Sequence, residues 1–231
     1  MKKILFVVSL LLVPAPLVSA PFEGKVQFKV TAERGKTEEI GYLLKGGKLR
    51  IEVAGQQDIG GLIIDVANKQ TVAIMDEQKM YMVMSMPDVV AQAAEAKPGE
   101  ATLEATGEKV KILGYDAVKY VSTYQGAKTE LWLAEGLGAF MAPSSANPMG
   151  GGQPGGGAGQ AWERALAGKE LFPLRVISFD QGGRQSFRMD ATAIDRKSLP
   201  DSLFVPPAGY QKLDMGGMMK GMMPPGLPGS R

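Results

Sequence analysis

Methionine is the residue type whose spacing in this chain most clearly suggests a binding surface. Four methionines alternate with other residues in one short run: Met80, Met82, Met84 and Met86. In a β-strand, alternate side chains point to the same face, so all four thioethers would line one side of a sheet. Methionine is flexible and polarizable, and such a face suits a cavity for lipid chains of varied shape. The other interpretation is an ordinary core strand, because a strand packed under helices would show the same pattern.

A second group of methionines lies near the C-terminus and could bind a soft metal ion. It comprises Met215, Met218, Met219, Met222 and Met223. Thioethers select Cu(I), and this spacing would place all five on one face of a helix. Interspersed glycines and the pair Pro224-Pro225 oppose a stable helix, so the sequence favours a disordered Met/Gly/Pro-rich tail over residues 214–231. Copper handling is therefore the alternative function, with these methionines as metal ligands.

The composition excludes most of the catalytic and metal sites that proteins use. The chain contains neither histidine nor cysteine, which removes the imidazole and thiolate groups of catalytic triads and zinc sites. No spacing indicates a carboxylate pair or a Ser-Lys dyad, so we expect a protein that is not an enzyme and has no cofactor. The glycine-rich stretch at residues 150–159 has no Gly-Lys-Ser/Thr after it, so it does not predict a phosphate-binding loop.

The first twenty residues have the composition of a cleavable secretory signal peptide. Lys2 and Lys3 precede the apolar run Ile4–Val13, and Val18–Ala20 supplies the small residues that signal peptidase needs. The run is shorter than the ~20 residues that span a bilayer. We therefore expect cleavage after Ala20, a periplasmic or otherwise extracytoplasmic location, and a mature protein that is not integral to the membrane.

Removal of that segment would leave a chain without net charge. The whole sequence has 26 basic and 24 acidic residues, and the signal segment contains two lysines and no acid, which leaves 24 of each. Proteins that bind nucleic acid usually carry a clustered excess of basic residues, so we expect no nucleic-acid partner.

Strand-like alternation dominates the segments that must position these residues. In Lys25–Glu33 the apolar Val26, Phe28 and Val30 alternate with polar side chains, which is the period of a half-buried strand. Similar runs predict strands at Thr37–Lys45, Leu49–Val53, Leu62–Val66, Thr71–Met75, Lys79–Met86, Glu108–Leu113, Tyr115–Tyr124, Lys128–Ala134, Leu174–Asp180 and Gln185–Ile194. Short helices are predicted near Pro87–Ala96 and Ala161–Leu166. The chain is therefore predicted to be mainly β, a β-rich α+β protein.

These strands lie on both sides of a Gly/Pro-rich stretch at residues 143–160, so we interpret that stretch as an insertion in one domain. The predicted domain covers residues 21–213, within the usual size of a single domain. Two neighbouring strands carry aromatic residues that predict cross-strand packing: Tyr115, Tyr120, Tyr124 and Trp132. Lys119 and Glu130 could form an ion pair across the same hairpin.

Several short motifs resemble an uncharacterised bacterial exported family, a domain of unknown function. They are Phe22-Glu23-Gly24, Leu113–Tyr120, Glu130–Leu133 with Leu137-Gly138, and Leu203-Phe204 with Pro207–Tyr210. That family is similar to the periplasmic carriers and receptors of the lipoprotein-localisation pathway. The resemblance implies a curled antiparallel sheet or incomplete β-barrel with short helices on its concave side. In the better-known relatives this concavity accepts acyl chains, and the resemblance supplies no catalytic residues.

We therefore expect a non-catalytic periplasmic binding or carrier protein with a hydrophobic groove for a lipid or a lipidated partner. On this hypothesis, Met80, Met82, Met84 and Met86 line the groove.

Overall fold

The computed structural model describes residues 21–32, 35–53, 61–85, 102–141 and 158–213. Its strands are β1 (Gly24–Thr31), β2 (Thr37–Lys45), β3 (Lys48–Val53), β4 (Gly61–Asp65), β5 (Gln70–Met75), β6 (Met80–Ser85), β7 (Glu104–Ile112), β8 (Tyr115–Tyr124), β9 (Ala127–Ala134), β10 (Phe172–Phe179), β11 (Gln185–Arg196) and β12 (Gln211–Lys212). The described helices are α1 (Ala158–Leu166) and a short 3-10 helix, η1 (Asp201–Phe204).

All twelve strands belong to one sheet, in the order β12-β6-β5-β4-β3-β2-β1-β11-β10-β9-β8-β7. Strands β1 to β6 form one meander and β7 to β11 form another, and the two meet where β1 pairs with β11. Every pair is antiparallel except β12 with β6, which is parallel. The sheet curls without closing, so the predicted mainly β fold with an incomplete barrel is confirmed.

The two faces of the sheet carry different cores. We call the face that bears Val26, Tyr42 and Leu62 the inner face. It holds the main hydrophobic cluster, which extends across both meanders and includes Trp162 of α1. We call the opposite face the outer face, and it holds a smaller cluster around Leu43. Because successive side chains in a strand alternate between faces, the period-two pattern of the sequence produces both clusters.

An aromatic cluster anchors helix α1 to the strands where the meanders meet. Phe140 lies between the ring of Trp162, at 5.7 Å between centroids, and the ring of Tyr42, at 5.6 Å. Phe28 contacts Tyr42 at 5.0 Å and stacks on Phe172 at 6.0 Å. Aromatic pairs at these separations add stability beyond the area that they bury. The inner face near β1 and β10 is therefore a closely packed core.

Gly24 allows β1 and β11 to approach each other at this junction. Its φ is +153°, and a Cβ atom at this position would lie 2.2 Å from the carbonyl oxygen of Asp195. Real Cβ contacts are never that short, so only glycine fits here without a shift of the backbone.

After β11 the chain crosses the outer face as a segment that we call the strap, residues 197–213. Leu199 and Phe204 of the strap pack in the outer cluster with Leu43, Ile63 and Ile74, and both are nearly fully buried. The strap ends by pairing with the edge of β6, where the Leu213 amide donates to the Tyr81 carbonyl at 2.8 Å. This crossing makes the last strand pair parallel.

Polar contacts hold the beginning of the strap to the sheet. Glu23 Oε1 accepts a hydrogen bond from the Leu199 amide at 2.6 Å, and this bond lowers the pKa of the Glu23 carboxyl. Lys45 Nζ lies 2.9 Å from Asp201 Oδ1 and also donates to the Leu199 carbonyl. The hydrogen bond to Asp201 raises the pKa of Lys45. The strap is thus held to the start of β1 through Glu23 and to the end of β2 through Lys45.

Strand β7 differs from its predicted bounds because it contains a bulge. It begins at Glu104, four residues before the predicted start, and the register with β8 shifts between Ala105 and Lys109. Gly107 has a φ of +81°, and the Thr106 hydroxyl donates to the Lys119 carbonyl at 3.1 Å. At the bulge, a side-chain hydrogen bond and a residue with left-handed backbone replace regular pairing. The alternation of apolar and polar residues is interrupted there, so the sequence pattern begins only after the bulge.

Several predicted segments lie outside the described residues. They are the signal segment 1–20, the first predicted helix at Pro87–Ala96, most of the insertion at 143–160 and the tail at 214–231. The last residues of that insertion begin helix α1, which starts three residues before the predicted Ala161. Among the described residues, no helix is long and apolar enough to cross a membrane.

Candidate functional site: the inner face of strands β4 to β6

Three of the four predicted groove methionines share the inner face of β6. Met82 and Met84 stand opposite Ala73 and Thr71 of β5, residues of the same face, and Met80 stands opposite Met75. Met86 lies outside the described residues. Met75 was not part of the predicted set, although the turn at Asp76–Lys79 fixes a register that brings it beside Met80. We call the row Met75, Met80, Met82 and Met84 the methionine wall.

The wall is graded in exposure. Met82 is 5% exposed, whereas Met75, Met80 and Met84 are half-buried. Met84 packs against the main inner cluster. A strand in the middle of a close-packed core would bury all of its inner side chains. The wall therefore lies at the margin of the core, where side chains with three rotatable bonds can change rotamer without disturbing the aromatic cluster.

Thr71 is the polar member of this otherwise apolar inner face. The other described inner-face side chains of β4 to β6 are Leu62, Ile64, Ala73 and the methionine wall. Thr71 stands between Ile64 and Met84 and is 1% exposed, and its hydroxyl has no hydrogen-bond partner among the described residues. A buried hydroxyl without a partner costs roughly 1–3 kcal/mol, and most buried polar groups have one. The sequence did not indicate Thr71, because the period-two pattern shows on which face of the strand a residue lies and does not show whether its hydroxyl has a hydrogen-bond partner.

The outer face of the same strands is covered by the strap. Tyr81 and Val83 of β6 pack in the outer cluster, and the Tyr210 hydroxyl of the strap donates to Asp76 Oδ1 at 2.8 Å. That hydrogen bond raises the pKa of Tyr210. The charged side chains of the neighbouring β3, such as Arg50, also lie on the outer side, where Arg50 donates to the Leu203 carbonyl at 3.2 Å. Among the described residues, the charged side chains of β3 thus lie on the face opposite the methionine wall.

Helix α1 covers a different part of the inner face, over β8 and β9. Trp162 of this helix is 1% exposed, and its indole Nε1 has no hydrogen-bond partner within the described ranges. Tyr42 is fully buried nearby, and burial, with the negative charge of Glu163, raises its pKa well above the usual range. The phenol therefore stays neutral at any physiological pH. It packs in the aromatic cluster.

A row of mostly charged residues crosses the outer face of the sheet from the second meander into the first. From β8 to β2, the residues in register are Lys119, Trp132, Arg175, Asp190, Lys29 and Glu39. Trp132 is enclosed by two cations, with Lys119 Nζ at 5.0 Å and Arg175 Cζ at 5.5 Å from its ring centroid. Trp132 thus makes cation–π contacts where aromatic packing was predicted. Because Trp132 is only 7% exposed, each contact contributes ~1–2 kcal/mol, toward the value for desolvated pairs.

Two cations of this row, Lys119 and Arg175, also have acidic partners. Lys119 pairs with Glu130 at 3.1 Å, which confirms the predicted ion pair and raises the pKa of Lys119. Burial would raise the pKa of Asp190, but hydrogen bonds from Arg188 at 2.6 Å and Arg175 at 2.7 Å outweigh it and lower that pKa. Lys119 and Arg175 are thus paired with neighbouring carboxylates, so this part of the row fits a structural role better than recognition of a charged ligand.

The described residues offer no group of three or more carboxylates that could hold a metal ion. A hollow of about 320 Å³ opens at the ends of the β8–β9 and β10–β11 hairpins, away from the methionine wall. It is lined by Gly126, Lys128, Glu130, Phe179, Asp180, Gln181 and Gly183. The predicted copper ligands Met215, Met218, Met219, Met222 and Met223 lie outside the described residues.

Comparison with protein families matches residues 22–210 to a domain of unknown function, DUF4412. No curated protein of similar sequence was found. The match spans most of the described residues and extends across both meanders and the strap. It confirms the predicted resemblance to a bacterial family of unknown function.

Three solved structures illustrate the likeness in fold. PNGF-II has a TM-score of 0.47 at 15% identity over 86% of this chain, and the chain spans only 32% of that protein. The MucA/MucB complex of Pseudomonas aeruginosa has a TM-score of 0.45 at 13% identity, with 78% of this chain and 54% of that chain covered. A putative outer membrane lipoprotein-sorting protein domain from Vibrio parahaemolyticus has a TM-score of 0.32 at 8% identity, covering 78% and 87%.

Proposed function

We propose that this chain, which belongs to the DUF4412 family, is a non-catalytic extracytoplasmic binding or carrier protein. Its ligand is an apolar chain of a lipid or of a lipidated partner, which binds along the methionine wall. The observation that carries this proposal is the graded exposure of the wall: Met82 is buried while Met80 and Met84 stay half-buried at the margin of the core.

Three physical features of the wall support an apolar ligand. Thioether side chains are flexible, so they adapt to chains of different shape at little energetic cost. The inner face of β4 to β6 carries no charged side chain among its described residues, so it does not favour an ionic ligand. The strap holds the opposite face through Phe204 and Tyr210, so the strands behind the wall are fixed while the wall itself can adapt.

The direct test is native mass spectrometry of the full chain purified from the envelope of its own host, before and after denaturation. We expect an adduct with the mass of a lipid that is released on denaturation. A protein that is free of adducts and fails to bind an apolar fluorescent dye would contradict the proposed function.

A variant pair locates the site. Met84→Asp places a charge on the wall at a half-buried position, where we expect the fold to survive and dye binding to collapse. Ser85→Asp is the matched control, because the neighbouring Ser85 is exposed and points to the other face. Met84→Leu controls for volume and should bind dye. A folded Met84→Asp protein with unchanged dye binding would exclude the wall as the site, and an unfolded one would assign Met84 to an ordinary core.

A further inference from the structure

We propose that Thr71 is a specificity-determining residue of this site, and that the preferred ligand is an acyl chain with a neutral ester. In this proposal the Thr71 hydroxyl donates a hydrogen bond to the ester carbonyl oxygen. The inference rests on the proposed function, because it assumes that an apolar chain binds along the methionine wall.

The unpartnered hydroxyl carries the argument. Thr71 Oγ1 is buried, with the whole residue 1% exposed, and in the part of the chain that the structure describes it has no hydrogen-bond partner. Valine has nearly the same shape and would fill this position without the cost of an unsatisfied hydroxyl. A ligand oxygen beside Met84 would supply the missing acceptor, and the burial of the site would strengthen the bond.

The apolar surroundings of Thr71 determine which kind of ligand oxygen can bind there. The inner-face neighbours of Thr71 across the sheet are Met84, Ile64, Leu49 and Leu44, and all are apolar. An ionised carboxylate or phosphate would lose its hydration there without gaining a cation, which is strongly unfavourable. A neutral ester carbonyl needs only one donor. The site therefore favours esters over free fatty acids, and the headgroup of the lipid lies elsewhere.

The flexible wall provides a route to the buried hydroxyl. Met84 stands directly opposite Thr71 and is half-buried. A change of rotamer at Met84 would uncover Thr71 without movement of the backbone, because methionine has three rotatable bonds. The polar anchor and its cover are thus adjacent side chains on paired strands.

The experiment compares three pyrene-labelled probes of equal chain length on the full chain: an alkane, a fatty acid and the methyl ester of that acid. For the unaltered protein we expect the ester to bind most tightly and the free acid most weakly. Thr71→Val should weaken ester binding by roughly threefold to tenfold, the value of one net hydrogen bond. Binding of the alkane should not change, and Thr71→Ser, which keeps the hydroxyl, should restore ester binding.

The outcomes separate this inference from the proposed function. If the alkane and the ester bind but Thr71→Val leaves ester binding unchanged, the role of Thr71 is refuted and the proposed function stands. An equal loss of alkane and ester binding also refutes it, because the residue would then act only through packing. If none of the probes binds the unaltered protein, the proposed function itself is refuted. Thermal unfolding of Thr71→Val checks the fold, and we expect a midpoint at or above that of the unaltered protein.

Discussion

The junction between β1 and β11 can be tested by replacing Gly24 with alanine. A Cβ atom there would lie 2.2 Å from the Asp195 carbonyl oxygen, so the two strands would have to separate by roughly 1.2–1.8 Å to reach an ordinary van der Waals contact. Overpacking of this kind costs ~1–3 kcal/mol, and the positive φ of +153° adds ~1–3 kcal/mol for a residue other than glycine. We therefore expect Gly24→Ala to lower the free energy of unfolding by about 4 kcal/mol.

The assay is urea unfolding followed by tryptophan fluorescence, since Trp132 and Trp162 are the two tryptophans of the chain. A loss of 4 kcal/mol corresponds to a fall of ~8–16 °C in the thermal midpoint for a domain of this size. Gly47→Ala is the matched control, because Gly47 also has a positive φ, +76°, but its Cβ would meet no atom within 4 Å. The control should lose only ~1–2 kcal/mol. If Gly24→Ala were no less stable than Gly47→Ala, the clash at the junction would be refuted.

Two further predictions concern the strap and the outer face. Phe204→Ala should cost ~3–5 kcal/mol by thermal or urea unfolding, because Phe204 is 4% exposed in the outer cluster, whereas Val205→Ala, at 46% exposure, should cost little. Equal losses would show that the strap does not anchor the sheet. Acid should destabilise the fold, because the pKa of Asp190 is lower in the folded protein than in the unfolded chain. The stability that ionised Asp190 contributes is complete above the unfolded pKa of ~4 and is lost as the pH falls through the folded pKa. Asp190→Asn should flatten this dependence between about pH 5 and pH 2, and an unchanged pH profile would count against the ion pairs.

The sequence predicted the strands well because their signal is local. The alternation of apolar and polar residues predicts strands at Thr37–Lys45 and Tyr115–Tyr124, and the structure has both strands with those bounds. A period of two requires only that one face of a strand be apolar, and this can be read without knowledge of the partner strand. At the bulge around Gly107 a side-chain hydrogen bond replaces regular pairing and the alternation is lost, so the sequence pattern does not show where β7 begins.

The candidate site was predicted only in part, because it depends on which strands become neighbours. The methionines of β6 were visible as a run, but Met75 joins them through the register of the β5–β6 hairpin. The missing hydrogen bond of Thr71 depends on Ile64 and Met84 as neighbours, which no local pattern encodes. The pairing of Gly24 with Arg196 is still less accessible, since strands so far apart in the chain meet only when the whole sheet has formed.

The two meanders are covered by different elements on different faces, and this difference favours the methionine wall as the binding site. The second meander has a helix and an aromatic cluster on its inner face and ion pairs at Lys119 and Arg175 outside, so both of its faces are covered, although the indole Nε1 of Trp162 has no hydrogen-bond partner among the described residues. The first meander has its rigid cover, the strap, on the outside, held by Phe204 and Lys45. Its inner face near β6 is lined by flexible methionines and one unpartnered hydroxyl. Since a core selected for stability would place a rigid, fully apolar side chain at Thr71, the combination is better explained by a ligand that completes the packing.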